Sequence, residues 1–211
     1  MPEPKYFFDE IDNNRSRRVR ELSEIKRRFA GGRDSFGIGS RAVIILAYAQ
    51  WEGFYNDCVR IYTQFLKNNG GRLRDTDWMM LVGATIRELQ SLRDRNHSHE
   101  ARRDFVASLR DIIDCGYDRF DPQVIMARSN LNFETLSANY HILNFDIDRF
   151  RPYRLRIDRE IVSWRHQAAH GDQPDLSQLD INKHIDFVAN LLLLVADQFQ
   201  EAMSARLASP L

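Results

Sequence analysis

The stretch that best indicates the fold is residues 157–171, IDREIVSWRHQAAHG. Four apolar residues fall on one face of a helix at about 100° per residue, namely Ile157, Ile161, Trp164 and Ala168. Gly171 is suited to the left-handed conformation that often follows a helix. The spacing therefore predicts a helix from about residue 153 to residue 170 that packs against a core through this stripe.

The other face of this helix is polar. His166 and His170 lie roughly opposite the apolar stripe, and Arg165 lies on its flank. Val162 and Ala169 keep this second face partly apolar. A mixed face of this kind suits a subunit interface better than open solvent.

The rest of the chain has the same helical periodicity. Further helices are predicted over residues 9–30, 41–68, 77–92, 100–115, 132–143 and 177–207. The predicted breaks are Gly31-Gly32, Asn69-Gly70-Gly71, residues 95–99, Gly116 and Asp121-Pro122. Because no useful stretch alternates as a strand does, residues 1–211 are expected to form one all-α domain. We expect a helical bundle with an inserted helical hairpin over residues 72–128.

The second predicted helix is expected to be the centre of the bundle. Ser40 is a candidate N-cap for it. Residues 42–49, AVIILAYA, are apolar on every side, so they are predicted to be buried all round. The last helix has one apolar stripe, formed by Ile181, Ile185, Val188, Leu192, Val195, Phe199 and Met203.

The composition excludes several classes of protein. The longest apolar run, residues 42–49, is too short to cross a bilayer, and the N-terminal residues do not resemble a signal peptide. Cys58 and Cys115 lack CxxC spacing and are interpreted as core thiols. No glycine-rich phosphate loop or nucleophile elbow is present. We therefore expect a cytoplasmic protein that does not associate with membranes.

The chain strongly prefers arginine over lysine. The net charge is zero, yet of the 30 lysines and arginines only four are lysines, which leaves 26 arginines. Arginine's planar fork suits bidentate contacts to phosphate, which favours a nucleic-acid partner. A GC-rich genome would also enrich arginine, so composition leaves both explanations open.

Arg165 and His170 together suit the cleavage of an RNA phosphodiester. An imidazole can take the proton of a 2′-hydroxyl or supply one to a leaving 5′-oxygen. A guanidinium can hold the phosphate and stabilise the charge that develops on its oxygens. The alternative is structural, because both side chains also interact favourably with the C-terminal end of a helix.

A metal site is a second alternative for the histidines. His166 and His170 are spaced i, i+4, as metal-binding helical pairs are. The candidates for a third ligand are His97, His99, His141, His184 and Asp172. The chain has no HExxH motif and no paired cysteines, so we expect no metal and no cofactor.

These segments resemble a known family. Residues 165–171, RHQAAHG, resemble the R-x4-H signature of the HEPN superfamily. Residues 48–54, YAQWEGF, are similar to the aromatic-x-x-W-E-G-F helix of RiboL-PSP-type HEPN proteins. Residues 129–132 and 157–171 match further blocks of that group in the expected order. The combination covers about residues 40 to 171.

The resemblance implies an all-α, HEPN-like bundle that forms a homodimer in which two R-x4-H motifs face one cleft. It implies cleavage of RNA without a metal, leaving a 2′,3′-cyclic phosphate and a 5′-hydroxyl. His170 would be the general acid and base, Arg165 the phosphate clamp, and His166 a residue that orients the phosphate.

Family members commonly act as toxins or antiviral effectors, which implies an antitoxin or defence-system protein as a partner. In one subgroup a tyrosine two residues after the motif histidine is modified by a partner enzyme, but here that residue is Asp172. Other HEPN domains only bind RNA, nucleotides or proteins, so a catalytically inactive module is the alternative.

Several residues are predicted to support the site. Glu52 lies within an apolar helix, so it either pairs with an arginine, for example one of residues 149–159, or orients Arg165 or His170. Asn130 and Asn132 are candidates for turn and N-cap residues. Five arginines form either an RNA groove or a solvated face, namely Arg149, Arg151, Arg154, Arg156 and Arg159. Asn130, Arg154 and Arg156 are taken as candidate RNA contacts.

Overall fold

A computed structural model describes residues 2–29, 37–76 and 78–208. Its ten α-helices are α1 Pro4–Phe29, α2 Ile38–Asn69, α3 Leu73–Thr76, α4 Leu81–Ala84, α5 Ile86–Asp94, α6 His99–Ile113, α7 Phe133–Leu143, α8 Arg154–Arg156, α9 Trp164–Ala169 and α10 Ile181–Ala208. Tighter helical turns and one π-helical segment connect some of them. Within the described residues the only β-type pairing is an isolated bridge between Arg72 and Gly116. The prediction of an all-α fold is confirmed for the described residues.

The three long helices α1, α2 and α10 pack on one another and build the core. α2 contributes several of the largest buried side chains, among them Trp51, Phe54, Tyr55, Tyr62 and Phe65. The predicted stripe of α10 is buried from Ile185 to Met203, and its first member, Ile181, is only partly covered. Burial of this apolar surface is the main source of stability for such a bundle.

The first half of α2 is not buried on every side, so that prediction is wrong. Val43 and Ala47 face the core, but Ile45 is 38% exposed and Leu46 is 41% exposed. The motif helix and the core cover one side of α2, and within the described residues nothing covers the side that carries Ile45 and Leu46. An apolar helix surface in this position is a candidate interface.

The ends of the helices follow local capping chemistry. α2 begins at Ile38 with Gly37 as its N-cap, so Ser40 is a buried residue inside the helix and not the predicted cap. α2 ends where predicted, at Asn69 before Gly70. Asn132 caps α7 as predicted, because its side-chain oxygen accepts a hydrogen bond from the Thr135 amide at 2.8 Å. The predicted Gly31-Gly32 break lies outside the described residues.

Residues 73–128 form shorter and more numerous helices than predicted. The single helix expected over residues 77–92 is instead a series of short turns followed by α5. Gly83 lies within these turns, where an added Cβ would be 2.4 Å from the ring of Phe120, so a glycine is needed for Phe120 to pack here. α5 and α6 form a hairpin joined by a turn in which Asn96 and His97 have positive φ, and this turn matches the predicted break.

The segment that carries Arg165 and His170 is a continuous helical path, here called the motif helix, that runs through α8, a π-helical stretch over Ile157–Ser163, and α9. Ile157, Ile161 and Trp164 are buried as predicted, whereas Ala168 is only partly covered. The helix ends at His170, and Gly171 takes a φ of 85°. A π-helical stretch inside a longer helix often accompanies a functional site.

No helix in the described part of the chain is both long enough and apolar enough to span a membrane.

Candidate functional site

The polar side of the motif helix borders a cleft of about 550 Å³, here called the motif cleft. Its lining consists of Ser129, Asn130, Asn132, Asp158, Val162, Ser163, Arg165, His166 and His170. The fold therefore brings four of the predicted site residues together: Arg165, His166, His170 and Asn130. The motif helix supplies three of them, and the loop before α7 supplies the fourth.

Arg165 is held against an aromatic ring of α2. Its guanidinium carbon lies 4.2 Å from the centroid of the Tyr48 ring, a cation–π contact that is worth about 0.5–2 kcal/mol. Within the described residues no carboxylate lies within ion-pair distance of Arg165. The guanidinium is thus positioned by a neutral ring, and its hydrogen-bond donors remain available to a ligand in the motif cleft.

Tyr48 is itself fixed through its hydroxyl. This hydroxyl donates a hydrogen bond to Glu52 at 3.0 Å and accepts one from the Leu131 amide at 3.0 Å. Burial raises the pKa of Tyr48 well above its usual value, so the hydroxyl keeps its proton. Trp51 donates from its indole nitrogen to the Leu131 carbonyl at 3.0 Å. Two side chains of α2 therefore hold both backbone groups of Leu131, next to Asn130.

Glu52 does not have the partner that its sequence position suggested. It is partly exposed, and in the described part of the chain no arginine of residues 149–159 lies within ion-pair distance of it. Its contact is the Tyr48 hydroxyl, because α2 places residues 48 and 52 on adjacent turns. The arginine-pair interpretation is wrong, and Glu52 reaches Arg165 only through Tyr48.

Gly53 completes the same sequence block for a steric reason. A Cβ at Gly53 would lie 2.8 Å from the guanidinium of Arg18, which crosses α2 at this point. Arg18 binds Asp57 at 2.5 Å and Gln50 at 3.0 Å, and its side chain is 12% exposed. The glycine therefore lets α1 approach α2 closely.

His166 and His170 form a pair at the edge of the motif cleft. Their ring centroids are 4.4 Å apart, the ring planes are inclined by 51°, and both side chains are exposed. Among the described residues no group donates a hydrogen bond to either ring or accepts one from it. Two exposed imidazoles next to an arginine can exchange protons with a ligand, but the described residues do not fix their orientation.

Asp158 is a residue of the cleft whose position the sequence analysis missed. Its carboxylate accepts a hydrogen bond from the Phe133 amide at 2.8 Å. Together with the cap by Asn132, it holds the first turn of α7 against the motif helix. Tyr48 was also missed as a site residue, although the aromatic-x-x-W-E-G-F block contains it. For Asp158 no local signal exists, because it binds a helix that begins 25 residues earlier in the chain.

The five arginines of residues 149–159 do not line the motif cleft. Three are paired with acids: Arg149 with Glu201, Arg151 with Asp148, and Arg156 with Glu160. Arg156 also lies 3.8 Å above the ring of Phe187, away from the motif cleft. Arg154 is exposed and stands 5.6 Å from the ring of Phe133, near the margin of the cleft. The structure therefore brings neither Arg154 nor Arg156 to the Arg165–His170 group.

A metal site would need a third ligand beside the two histidines. Over residues 2–29, 37–76 and 78–208, no three His, Cys, Asp or Glu side chains converge so that they could hold a metal ion. One sequence candidate, His184, is buried on the other side of the motif helix, with its ring centroid 6.1 Å from that of Trp164.

Comparison with known proteins extends the similarity beyond the motif. The RiboL-PSP-HEPN family model matches residues 13–201, which include α2, the loop before α7, the motif helix and most of α10. Searches of curated proteins and of solved structures found no match. The family supports a nuclease or RNA-related role. With a match over nearly its whole length, the chain belongs to the RiboL-PSP-HEPN family.

Proposed function

We propose that the chain is an endoribonuclease that cleaves RNA without a metal ion. The observation that carries the proposal is the state of Arg165, which rests on the Tyr48 ring and has no acidic partner in the described part of the chain. It faces the same cleft as the His166–His170 pair. An uncommitted guanidinium beside two imidazoles suits a phosphodiester, and most neighbouring arginines are already neutralised by acids.

In the proposed reaction the ribose 2′-oxygen attacks the adjacent phosphorus and the bond to the 5′-oxygen breaks. One imidazole takes the proton of the 2′-hydroxyl, and an acid returns a proton to the leaving 5′-oxygen. The products are a 2′,3′-cyclic phosphate and a 5′-hydroxyl, so no water is consumed. Arg165 stabilises the charge on the phosphate oxygens. His170 exchanges protons, and His166 orients the phosphate.

The supporting residues position the reacting groups and do not react themselves. Tyr48 positions Arg165 through its ring, and Glu52 positions Tyr48 through the hydroxyl. Asn130 lies in the loop that Tyr48 and Trp51 hold in place, so its amide can contact a ribose or a phosphate. Arg154, at the margin of the cleft, is a weaker candidate for a phosphate contact, and Arg156 is not assigned to the site.

A second copy of the chain is proposed to complete the site. The histidines lack an orienting partner in one protomer, and Ile45 and Leu46 leave an apolar surface on α2 beside Tyr48. Ile38, which is 79% exposed, lies seven residues before Ile45 and extends this surface by about two helical turns toward the start of α2. A two-fold homodimer through this surface would bring two motif clefts together. Leu46→Glu should then give monomers in light scattering and lose cleavage, and a monomeric wild type at micromolar concentration would contradict the dimer.

The biological setting is a further part of the proposal. The RNase is proposed to act as a toxin or antiviral effector. An antitoxin or a defence-system protein would be the partner that controls it. Asp172 is exposed at the end of the motif helix. Because it carries no hydroxyl, control by modification of a tyrosine at this position does not apply.

The alternative is a catalytically inactive module that binds RNA, a nucleotide or a partner protein. One observation favours it: in the described residues neither imidazole has a hydrogen-bonding partner, and an efficient general base is normally oriented by a third group. This alternative expects binding that depends on Arg165 and no cleavage at all.

The deciding experiment incubates the purified protein with tRNA, mRNA and single-stranded DNA, with and without EDTA. The proposal expects RNA fragments with 2′,3′-cyclic phosphate ends, unchanged in EDTA, and intact DNA. His170→Ala should abolish cleavage, whereas the matched control His141→Ala, an exposed histidine of α7 outside the cleft, should leave it unchanged. Equal cleavage by His170→Ala, or a requirement for a divalent ion, would overturn the proposal.

A further inference from the structure

A second cleft, of about 500 Å³, lies on the other side of the motif helix and shares no lining residue with the motif cleft. Here it is called the His184 cleft. The motif helix contributes Glu160 and Trp164 to it, and α10 contributes His184, Phe187 and Asn190. None of the chemistry proposed for Arg165 and His170 uses this cleft.

His184 is the unusual group in this cleft. The residue is 2% exposed, and neither ring nitrogen has a hydrogen-bond partner in the described structure. Burial lowers the pKa of His184 to about 4, so the ring is neutral near pH 7 and carries one donor and one acceptor. Buried polar atoms without a partner destabilise a fold and are rare. A cleft floored by such a ring is suited to a ligand that supplies the complementary donor and acceptor.

Three aromatic residues, Tyr153, Trp164 and Phe187, line the cleft together with mostly polar neighbours. Trp164 is 6% exposed, and its ring centroid is 6.1 Å from that of His184. Phe187 is buried, and the Tyr153 ring lies 5.7 Å from it. Arg156 covers a face of Phe187 at 3.8 Å. The partly exposed surfaces are the Tyr153 ring and the Arg156 guanidinium plane, and both favour a planar ligand that stacks.

The charges around the cleft are paired. Glu160 binds Arg156 through two hydrogen bonds of 3.0 and 3.1 Å. Lys183 lies 3.6 Å from Asp180, and Asp186 is bound by a lysine of α1. This arrangement offers no strong clamp for a phosphate. The exposed amides of Gln178 and Asn190 form the rim and can hydrogen-bond the edge of a neutral ligand.

We propose that the His184 cleft binds a nucleobase, stacked on Tyr153 and the Arg156 guanidinium and hydrogen-bonded through its edge to the imidazole of His184. A base of the RNA substrate is the occupant that fits best, because the motif helix is only about 10–12 Å across. A strand whose phosphate lies at Arg165 can therefore place a nearby unpaired base in this cleft. The choice of RNA as the source of the base rests on the proposed function, whereas the recognition of a base does not.

The test compares His184→Leu with wild type, both in the His170→Ala background so that RNA stays intact. Binding is measured for a short single-stranded RNA and for adenosine and uridine monophosphates. Loss of the base-edge hydrogen bonds should weaken RNA binding by about tenfold. The thermal midpoint should stay unchanged or rise by about 2–4 °C, because leucine removes the buried polar atoms. Weaker binding by a variant of equal or greater stability cannot come from damage to the fold.

Asn190→Ala provides a second variant on the exposed rim, should His184→Leu not fold, and Asn182→Ala is its control on the same helix outside the cleft. We expect a weaker RNA affinity for Asn190→Ala and none of this effect for Asn182→Ala. Saturable binding of a monophosphate that His184→Leu loses would support base recognition and make a free nucleotide the source.

Wild-type affinity of His184→Leu for RNA and both monophosphates would overturn the inference. The inference would also be overturned if the His170→Ala protein bound neither the RNA nor either monophosphate. The cleft would then hold a protein ligand or water. His184-dependent base binding in a protein that never cleaves RNA would refute the proposed nuclease and keep this inference. If the protein cleaves RNA but its base binding does not depend on His184 or Asn190, the proposed nuclease stands and this inference is refuted.

Discussion

On the side of the motif helix that borders the motif cleft, His166 and His170 are exposed to solvent. On the side that faces α10, the imidazole of His184 is buried next to Trp164. Burial removes the charged form of His184, since its pKa falls to about 4, and it also removes access to solvent protons. The motif helix thus has His166 and His170, which are suited to proton transfer, on one side. On the other side are Trp164, which packs in the core, and His184, which is suited to hydrogen bonding in its neutral form. Substitutions on the two sides should therefore affect different measurements.

The largest effect is expected at His170. His170→Ala should lower the turnover of RNA by about 10²–10⁴-fold, because it removes a general acid and base. The free energy of unfolding should hardly change, since the side chain is exposed. Single-turnover cleavage and urea unfolding of the same preparation test both points. If stability fell together with activity, the separation of the two sides would fail.

Trp164→Ala should show the opposite pattern. Trp164 packs with Ile44 and Leu176 in a small buried cluster between the motif helix, α2 and the chain before α10. Truncation should reduce the free energy of unfolding by about 3–5 kcal/mol. At a temperature where the variant is still folded, RNA cleavage should fall far less than in His170→Ala. A stable Trp164→Ala protein without activity would place the indole in the chemistry.

Arg165→Ala should lower turnover by about 10²–10³-fold through the loss of charge stabilisation. It should also weaken RNA binding, which His170→Ala should not, because of these two side chains only the Arg165 guanidinium is proposed to bind the phosphate in the ground state. Arg165→Lys is the matched variant that keeps the charge and loses the planar fork. Full recovery by lysine would show that a point charge suffices and that stacking on Tyr48 has no role.

Tyr48 offers a smaller and more selective test. Tyr48→Phe keeps the ring under Arg165 but leaves the Leu131 amide without its acceptor, which should cost about 1–3 kcal/mol of stability. Tyr48→Leu also removes the ring and should lower kcat by a further factor of about ten. Glu52→Gln, which still accepts from the hydroxyl, is the control. Equal kcat values for the phenylalanine and leucine variants would show that the ring does not position Arg165.

The sequence was sufficient for features that depend on neighbouring residues. Helical periodicity located α2, α7, α10 and the motif helix, and the cap by Asn132 follows from residue type alone. Contacts between segments that are distant in the sequence could not be predicted. The 83 residues between Tyr48 and Leu131, and the 25 between Phe133 and Asp158, leave no periodic signal. The exposure of Ile45 and Leu46 was mispredicted because an apolar run does not reveal whether one of its faces lacks a partner within the same chain.

The smallest expected effect concerns acid stability on the α10 side. His184 has a folded-state pKa of about 4 against an ordinary value of 6.5. Between these values the unfolded chain binds a proton that the folded chain does not, so stability is present above pH 6.5 and is lost as the pH falls toward 4. From pH 7 to pH 5 this loss should be on the order of 1–2 kcal/mol. His184→Leu should lack this part of the pH dependence, and His170→Ala, on the exposed side, should retain it. Urea unfolding at both pH values measures the difference, and an equal loss in wild type and His184→Leu would contradict the buried neutral imidazole.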